Sequence, residues 1–125
     1  MTFGQVQVWV LPADLTAASV ARHHVANACE GFPDDTVYTA CLLVTELVSN
    51  ALLHGRGPVL LTVTCDAPGL RVEVHDESPD LPLIIDRPLL AEHGAGLRLV
   101  SAMASSWGSS PRQGQPGKRV WFTLA

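Results

Sequence analysis

Leu42-Leu43-Val44-Thr45-Glu46-Leu47-Val48-Ser49-Asn50-Ala51-Leu52-Leu53-His54 contains no glycine or proline and is rich in leucine and alanine, which favours a helix. At about 100° per residue its large apolar side chains point almost all the way round, so the spacing predicts a buried helix rather than an amphipathic one. Glu46 and Asn50 lie one turn apart and share a face. A carboxylate is seldom fully buried unless something compensates it. For the helix alone two accounts stay open. One is a core carboxylate satisfied by a helix cap or an arginine; the other is the polar floor of a ligand site, where carboxylate and amide handle a metal or a proton.

Outward from this stretch the chain reads as alternating elements. Pro33 and Asp34 start the helix and Gly55 and Gly57 stop it, which makes it about six turns long. Upstream, Phe3 to Leu11 alternates loosely and is rich in valine, a first strand that Pro12 ends. Asp14 then reads as the N-cap of a helix through Leu15, Val20, Val25, Ala26 and Cys29, with Gly31 just past its end. His23 and His24 are adjacent and point in different directions, so they read as surface residues and not as a metal pair. Downstream, Pro58 introduces the strand Val59 to Cys65, Asp66-Ala67-Pro68-Gly69 is a turn, and Leu70 to Asp76 alternates apolar with polar, giving a hairpin with one wet face.

From Glu77 to His93 no period survives, and Pro79, Pro82 and Pro88 interrupt the run; so long a loop in a compact domain is functional or disordered. Gly94-Ala95-Gly96 opens a helix over Leu97 to Ala104, Trp107-Gly108 starts a short strand, Pro111 to Gly117 is a turn, and Lys118 to Leu124 is the last strand. This order predicts one α+β domain over residues 1–125, a two-layer sandwich with a mostly antiparallel sheet covered on one face by three helices.

Composition narrows the function. The 125 residues are 47% hydrophobic and 16% charged, a balance for a globule with a single core. Net charge is −4 with scattered basic residues, which argues against direct nucleic-acid binding. Apolar runs fall short of the roughly 20 residues of a membrane span, and no signal-peptide pattern is expected at the amino terminus. Cys29, Cys41 and Cys65 show no paired spacing and read as reduced thiols of a cytoplasmic protein; a zinc site is the weaker alternative, because the histidines are not spaced with them as ligands.

Two further polar points stand out. Asp76 closes a strand at the mouth of the long loop, and by itself is an ordinary turn aspartate. Gly94-x-Gly96 before a helix is by itself a flexible entry; as a site, it would let backbone approach a ligand and offer free N–H groups and a positive dipole end to an anion. Taken in order, Glu46…Asn50, Asp76 and Gly94-Ala95-Gly96 resemble the boxes of the histidine-kinase-like ATP-binding superfamily, which includes topoisomerase, mismatch-repair, chaperone and sensor-kinase ATPases. Its N-box is E-x-x-x-N, its second box an aspartate closing a strand, and its third G-x-G. The closing Gly117 to Leu124 is similar to the family's last strand. The wording Glu46-Leu47-Val48-Ser49-Asn50-Ala51-Leu52-Leu53-His54 looks most like the small actinobacterial anti-sigma factor serine/threonine kinases.

The resemblance implies ATP and Mg²⁺ as cofactors. Asn50 would hold the metal, Glu46 would be the general base or orienting carboxylate for a partner's serine or for water, and Asp76 would accept the adenine amino proton. Burial should raise the Glu46 pKa towards the range a base needs. Gly94, Gly96 and the amide of Leu97 would cradle phosphates, with His54 and Arg98 either beside them or simply at the surface. A lid is implied at about 77–95, spanning Pro79 to His93. Ser78 stands where the second box commonly has glycine, and Pro79 stiffens the start of the lid. The implied partners are a sigma factor and an anti-anti-sigma protein, met through the first helix around Arg22 and a homodimer face. The alternative is a regulatory module that binds nucleotide and partner without phosphoryl transfer.

Overall fold

An alanine stripe and a valine-leucine stripe, on two consecutive helices, form one half of the core. The computed structural model describes residues 5–66, 69–79 and 96–125. In the first helix, α1 (Ala17–Ala28), Ala17, Ala21 and Val25 recur every fourth residue and are all fully buried. In the second, α2 (Asp34–His54), the buried residues are Ala40, Leu43, Val44, Leu47, Val48 and Ala51, a stripe at i, i+3, i+4. The third helix, α3 (Gly96–Met103), adds Leu97 and Val100. α2 lies between the other two and packs against both. Asp34 and Asp35 in its first turn complement the positive end of the helix dipole.

The other half of the core is one face of a sheet. Its strands are β1 (Gln5–Val10), β2 (Leu60–Asp66), β3 (Gly69–Asp76), β4 (Ser106–Pro111) and β5 (Lys118–Leu124), arranged β1-β2-β3-β5-β4 with every neighbour antiparallel. Alternate residues face the helices: Leu61 and Val63 from β2, Leu70, Val72 and Val74 from β3, Val120, Phe122 and Leu124 from β5. The expected order of elements and the helices on one face are both present.

Three expectations change. α2 is amphipathic, not buried all round: Leu42 and Leu52 are half-buried on its flanks, and Leu53 is 64% exposed. It is also 21 residues long with a mean hydropathy of 1.5, enough by length and composition to cross a membrane, although continuous apolar runs suggested otherwise. Here its apolar stripe is the centre of the core. α1 begins at Ala17 and not after Asp14, because the Asp14 carboxylate accepts the Thr16 N–H at 2.8 Å and so closes a turn ahead of the helix. Valines Val6, Val8 and Val10 of the edge strand β1 lie on the face turned away from the helices, each more than half exposed, while Trp9 turns the other way and stacks on His24 at 4.4 Å.

Candidate functional site

The C-terminal half of α2 runs directly towards the end of β3. Glu46 and Asn50 both sit half-buried on its flank, beside the apolar stripe. Burial pushes the Glu46 carboxyl above the usual carboxylate range. Neither side chain makes a hydrogen bond or ion pair with another described residue, so a carboxylate and an amide, one turn apart, stay available to a ligand. His54 ends the helix exposed.

Past His54 the chain meets Asp76. The N–H of Gly55 closes the helix on the carbonyl of Ala51, and its α-carbon lies so near Asp76 that a Cβ there would come within 2.9 Å of Oδ2. Arg56 accepts the N–H of Glu77 at 2.7 Å, which ties the end of α2 to the residue after β3. On the other side Gly117 turns at φ 108°, and a Cβ there would strike the Asp76 carbonyl. Two glycines thus let backbone close on the aspartate from both sides, a cradle that any side chain would fill.

Asp76 itself is 2% exposed, and its charge is met by Lys118, 5% exposed. The ammonium Nζ lies 3.0 Å from Oδ1 and 3.0 Å from Oδ2. Oδ1 also accepts the Ser78 N–H at 2.7 Å, and Ser78 is buried beneath it. The ladder explains the pair: Asp76 is directly opposite Lys118, and both fall in phase with the core residues of their strands.

Lys118 was missed by reading motifs alone, yet the sequence carried the signal. It stands two residues before Val120 and four before Phe122, so strand alternation places it on the core face; Asp76 follows Val74 in the same way. Opposite charges at core-phase ends of two strands point to a buried pair.

The remaining expected residues are placed in part. Leu97 is buried at the start of α3 and Arg98 beside it is half-buried. Gly96 is the first residue of that helix. Gly94 and most of the expected lid fall outside the described residues. Arg22, expected at a partner contact, donates to Thr45 Oγ1 at 3.0 Å and so ties α1 to α2. Among the described residues no group of three or more His, Cys, Asp or Glu could hold a metal ion. A depression of about 200 Å³ lies at the far end of α2, lined by Asp35, Thr36, Thr39 and Met103, well away from Asp76.

An antiparallel sheet under three helices, with an E-x-x-x-N helix leading to a buried strand-end aspartate, defines an ATPase domain of the histidine-kinase type. The family model for the histidine kinase-like ATPase domain matches residues 11–124, and the chain belongs to that family. Among solved structures, the RsbU and RsbW domains of Rv1364c from Mycobacterium tuberculosis share the fold, with a TM-score of 0.71 over 96% of this chain at 17% identity. The histidine kinase domain of the blue-light activated histidine kinase from Erythrobacter litoralis EL346 aligns over 86% of this chain with a TM-score of 0.50 at 22% identity. The matched regions make up 32% and 57% of those longer chains. No curated protein matches the chain by sequence.

Proposed function

We propose that this chain is an ATP-binding regulatory serine/threonine kinase of the anti-sigma factor type, which phosphorylates a serine of a partner antagonist protein and sequesters a sigma factor. The observation that carries this reading is Glu46. It is a half-buried carboxylate with a raised pKa and no protein partner among the described residues, one turn from an equally unengaged Asn50. The RsbW domain in the Mycobacterium structure shares the fold that this reading requires.

The residues divide the work as follows. Asn50 supplies one neutral oxygen to a hard cation, which suits Mg²⁺, an ion that keeps most of its coordination for waters and phosphates. Bound Mg·ATP supplies the transferable phosphoryl group and charge neutralisation. Glu46 takes the proton of the attacking serine hydroxyl as the new oxygen–phosphorus bond forms and the bond to the bridging oxygen breaks, with ADP leaving. Asp76 accepts from the 6-amino group of adenine; guanine would bring a carbonyl oxygen against it. Gly96 and the Leu97 amide would receive phosphate oxygens at the start of α3, and the G-x-G pattern adds Gly94 to them.

The compartment we propose is the cytoplasm. Cys29, Cys41 and Cys65 are all unbridged, and burial pushes the Cys29 thiol up to about 12, which leaves it inert.

A second reading, nucleotide binding without transfer, is favoured by the altered second box, where Ser78 stands in place of the usual glycine and Pro79 follows it. Incubation of the chain with γ-labelled ATP and candidate antagonist proteins separates the two. Label on a partner serine that disappears in Glu46→Gln, while Glu46→Gln still binds Mg·ATP, supports the kinase; binding without label leaves the regulatory module.

A further inference from the structure

The buried pair of Asp76 and Lys118 has hydrogen-bonding capacity left over on both members. An ammonium carries three N–H bonds, and two suffice for the two carboxylate oxygens, each 3.0 Å away. No other acceptor among the described residues receives the third. At 5% exposure little water reaches it, and a buried donor without an acceptor is costly. On the other side of the pair, Oδ1 accepts both Ser78 and Lys118, whereas Oδ2 accepts Lys118 alone among the described residues and keeps a free lone pair. A spare acceptor and a spare donor therefore stand side by side.

Their position is fixed from several directions. The strand register holds Asp76 opposite Lys118, Gly117 packs on the Asp76 backbone, and Gly55 lies against Oδ2. Neither head can swing far without breaking these contacts.

We infer that Lys118 is a specificity-determining residue that reads the purine ring: its free N–H donates to N1 of adenine while Oδ2 of Asp76 accepts from the 6-amino group. This rests on the nucleotide reading above and deepens it. The Watson–Crick edge of adenine offers a donor beside an acceptor, the complement of acceptor Oδ2 and donor Nζ. In the same pose guanine offers a carbonyl to Oδ2 and an N–H to the ammonium, two mismatches in place of two bonds. A carboxylate alone would impose only the first. Lys118 thus serves the ligand, beyond its service to Asp76.

Nucleotide analogues test this on the unaltered chain. Affinities for Mg·ATP, for 1-deaza-ATP, in which a C–H replaces N1, and for 7-deaza-ATP, which retains N1, are measured by calorimetric titration. The expected result is a loss of about 10- to 100-fold for 1-deaza-ATP, the range of a hydrogen bond to a charged group, with 7-deaza-ATP close to ATP. In Lys118→Met, ATP and 1-deaza-ATP should become equal. That variant strands a buried carboxylate; where it fails to fold, the analogue comparison on the unaltered chain alone decides. Equal affinity of the unaltered chain for ATP and 1-deaza-ATP would overturn the assignment while leaving the nucleotide site intact. Failure of ATP itself to bind would overturn the nucleotide reading and this inference together.

Discussion

Gly117 turns its backbone at φ 108° directly against Asp76, so that a Cβ would strike the Asp76 carbonyl oxygen and lie 2.7 Å from the α-carbon of Glu77. The turn before β5 and the end of β3 are thus one packed unit, and the aspartate owes its position to a residue with no side chain. Gly117→Ala should destabilise the fold by at least about 2 kcal/mol, combining left-handed strain with a backbone clash. Gly114 is a matched control: it also has positive φ, 67°, but open space where a Cβ would go. Gly114→Ala should cost only about 1 kcal/mol. Chemical denaturation of both variants measures the difference, and equal losses would show that the contact with Asp76 contributes nothing.

Breaking the Asp76–Lys118 pair on one side should be expensive. Lys118→Met leaves a carboxylate 2% exposed without its cation, a loss of about 3–5 kcal/mol by comparison with other buried pairs. Asp76→Asn combined with Lys118→Met removes both charges and should cost clearly less than Lys118→Met alone. Urea unfolding of the two single variants and the double closes the cycle; additive losses would mean that the charges do not interact.

Glu46 should carry a stability cost at neutral pH. Its folded pKa is raised by burial, so ionisation is penalised in the folded state at neutral pH. Glu46→Gln should therefore raise the melting temperature at pH 7. The gain should fade as pH falls towards the ordinary carboxylate value of 4.5 and vanish below it, where the glutamate is protonated both folded and unfolded. Melting curves from pH 4 to 8 test this, and a variant less stable than the parent at pH 7 would contradict it.

The sheet face opposite the helices should set the acid limit. Glu73 accepts from His75 at 3.2 Å and from Arg71 at 2.8 Å, and the Arg71 guanidinium lies 4.1 Å over the Trp121 ring. The His75 hydrogen bond first, and then Arg71, hold the Glu73 carboxyl down at about 2 against the opposing effect of burial. A depressed folded value means that its stabilisation is complete above 4.5 and is lost as pH falls from there towards about 2. Glu73→Gln should flatten the stability profile in that window and leave the profile above pH 5 parallel to the parent's. An unchanged acid limb would show that other carboxylates dominate.

Much of this was legible in the sequence, for physical reasons. Periodicity marked every strand and helix in order, because Val72, Val74, Val120 and Phe122 must alternate if one face of the sheet is buried. The spacing of Glu46 and Asn50 placed them together on α2 without any tertiary information. Element ends were less legible: the first strand reads on to Leu11 and ends at Val10, and Asp14 spends its carboxylate on a turn and not on a cap. The all-round burial expected of α2 fails because composition cannot tell a core leucine such as Leu43 from an exposed one such as Leu53. Lys118 was hidden for the opposite reason, since a lysine is presumed to face water until its phase with Val120 and Phe122 is counted.

The central claim is that adenine lies against Asp76 with the phosphates towards Asn50 and the start of α3. Thermal unfolding of the chain titrated with Mg·ATP, and separately with Mg·GTP, tests it most directly, run in parallel on Asp76→Asn. Mg·ATP should stabilise the parent chain by about 2.7 kcal/mol at a hundredfold excess over its Kd, Mg·GTP should give little, and Asp76→Asn should lose most of the response to ATP. An equal response to both nucleotides, or one that survives intact in Asp76→Asn, would place the base elsewhere and contradict the claim.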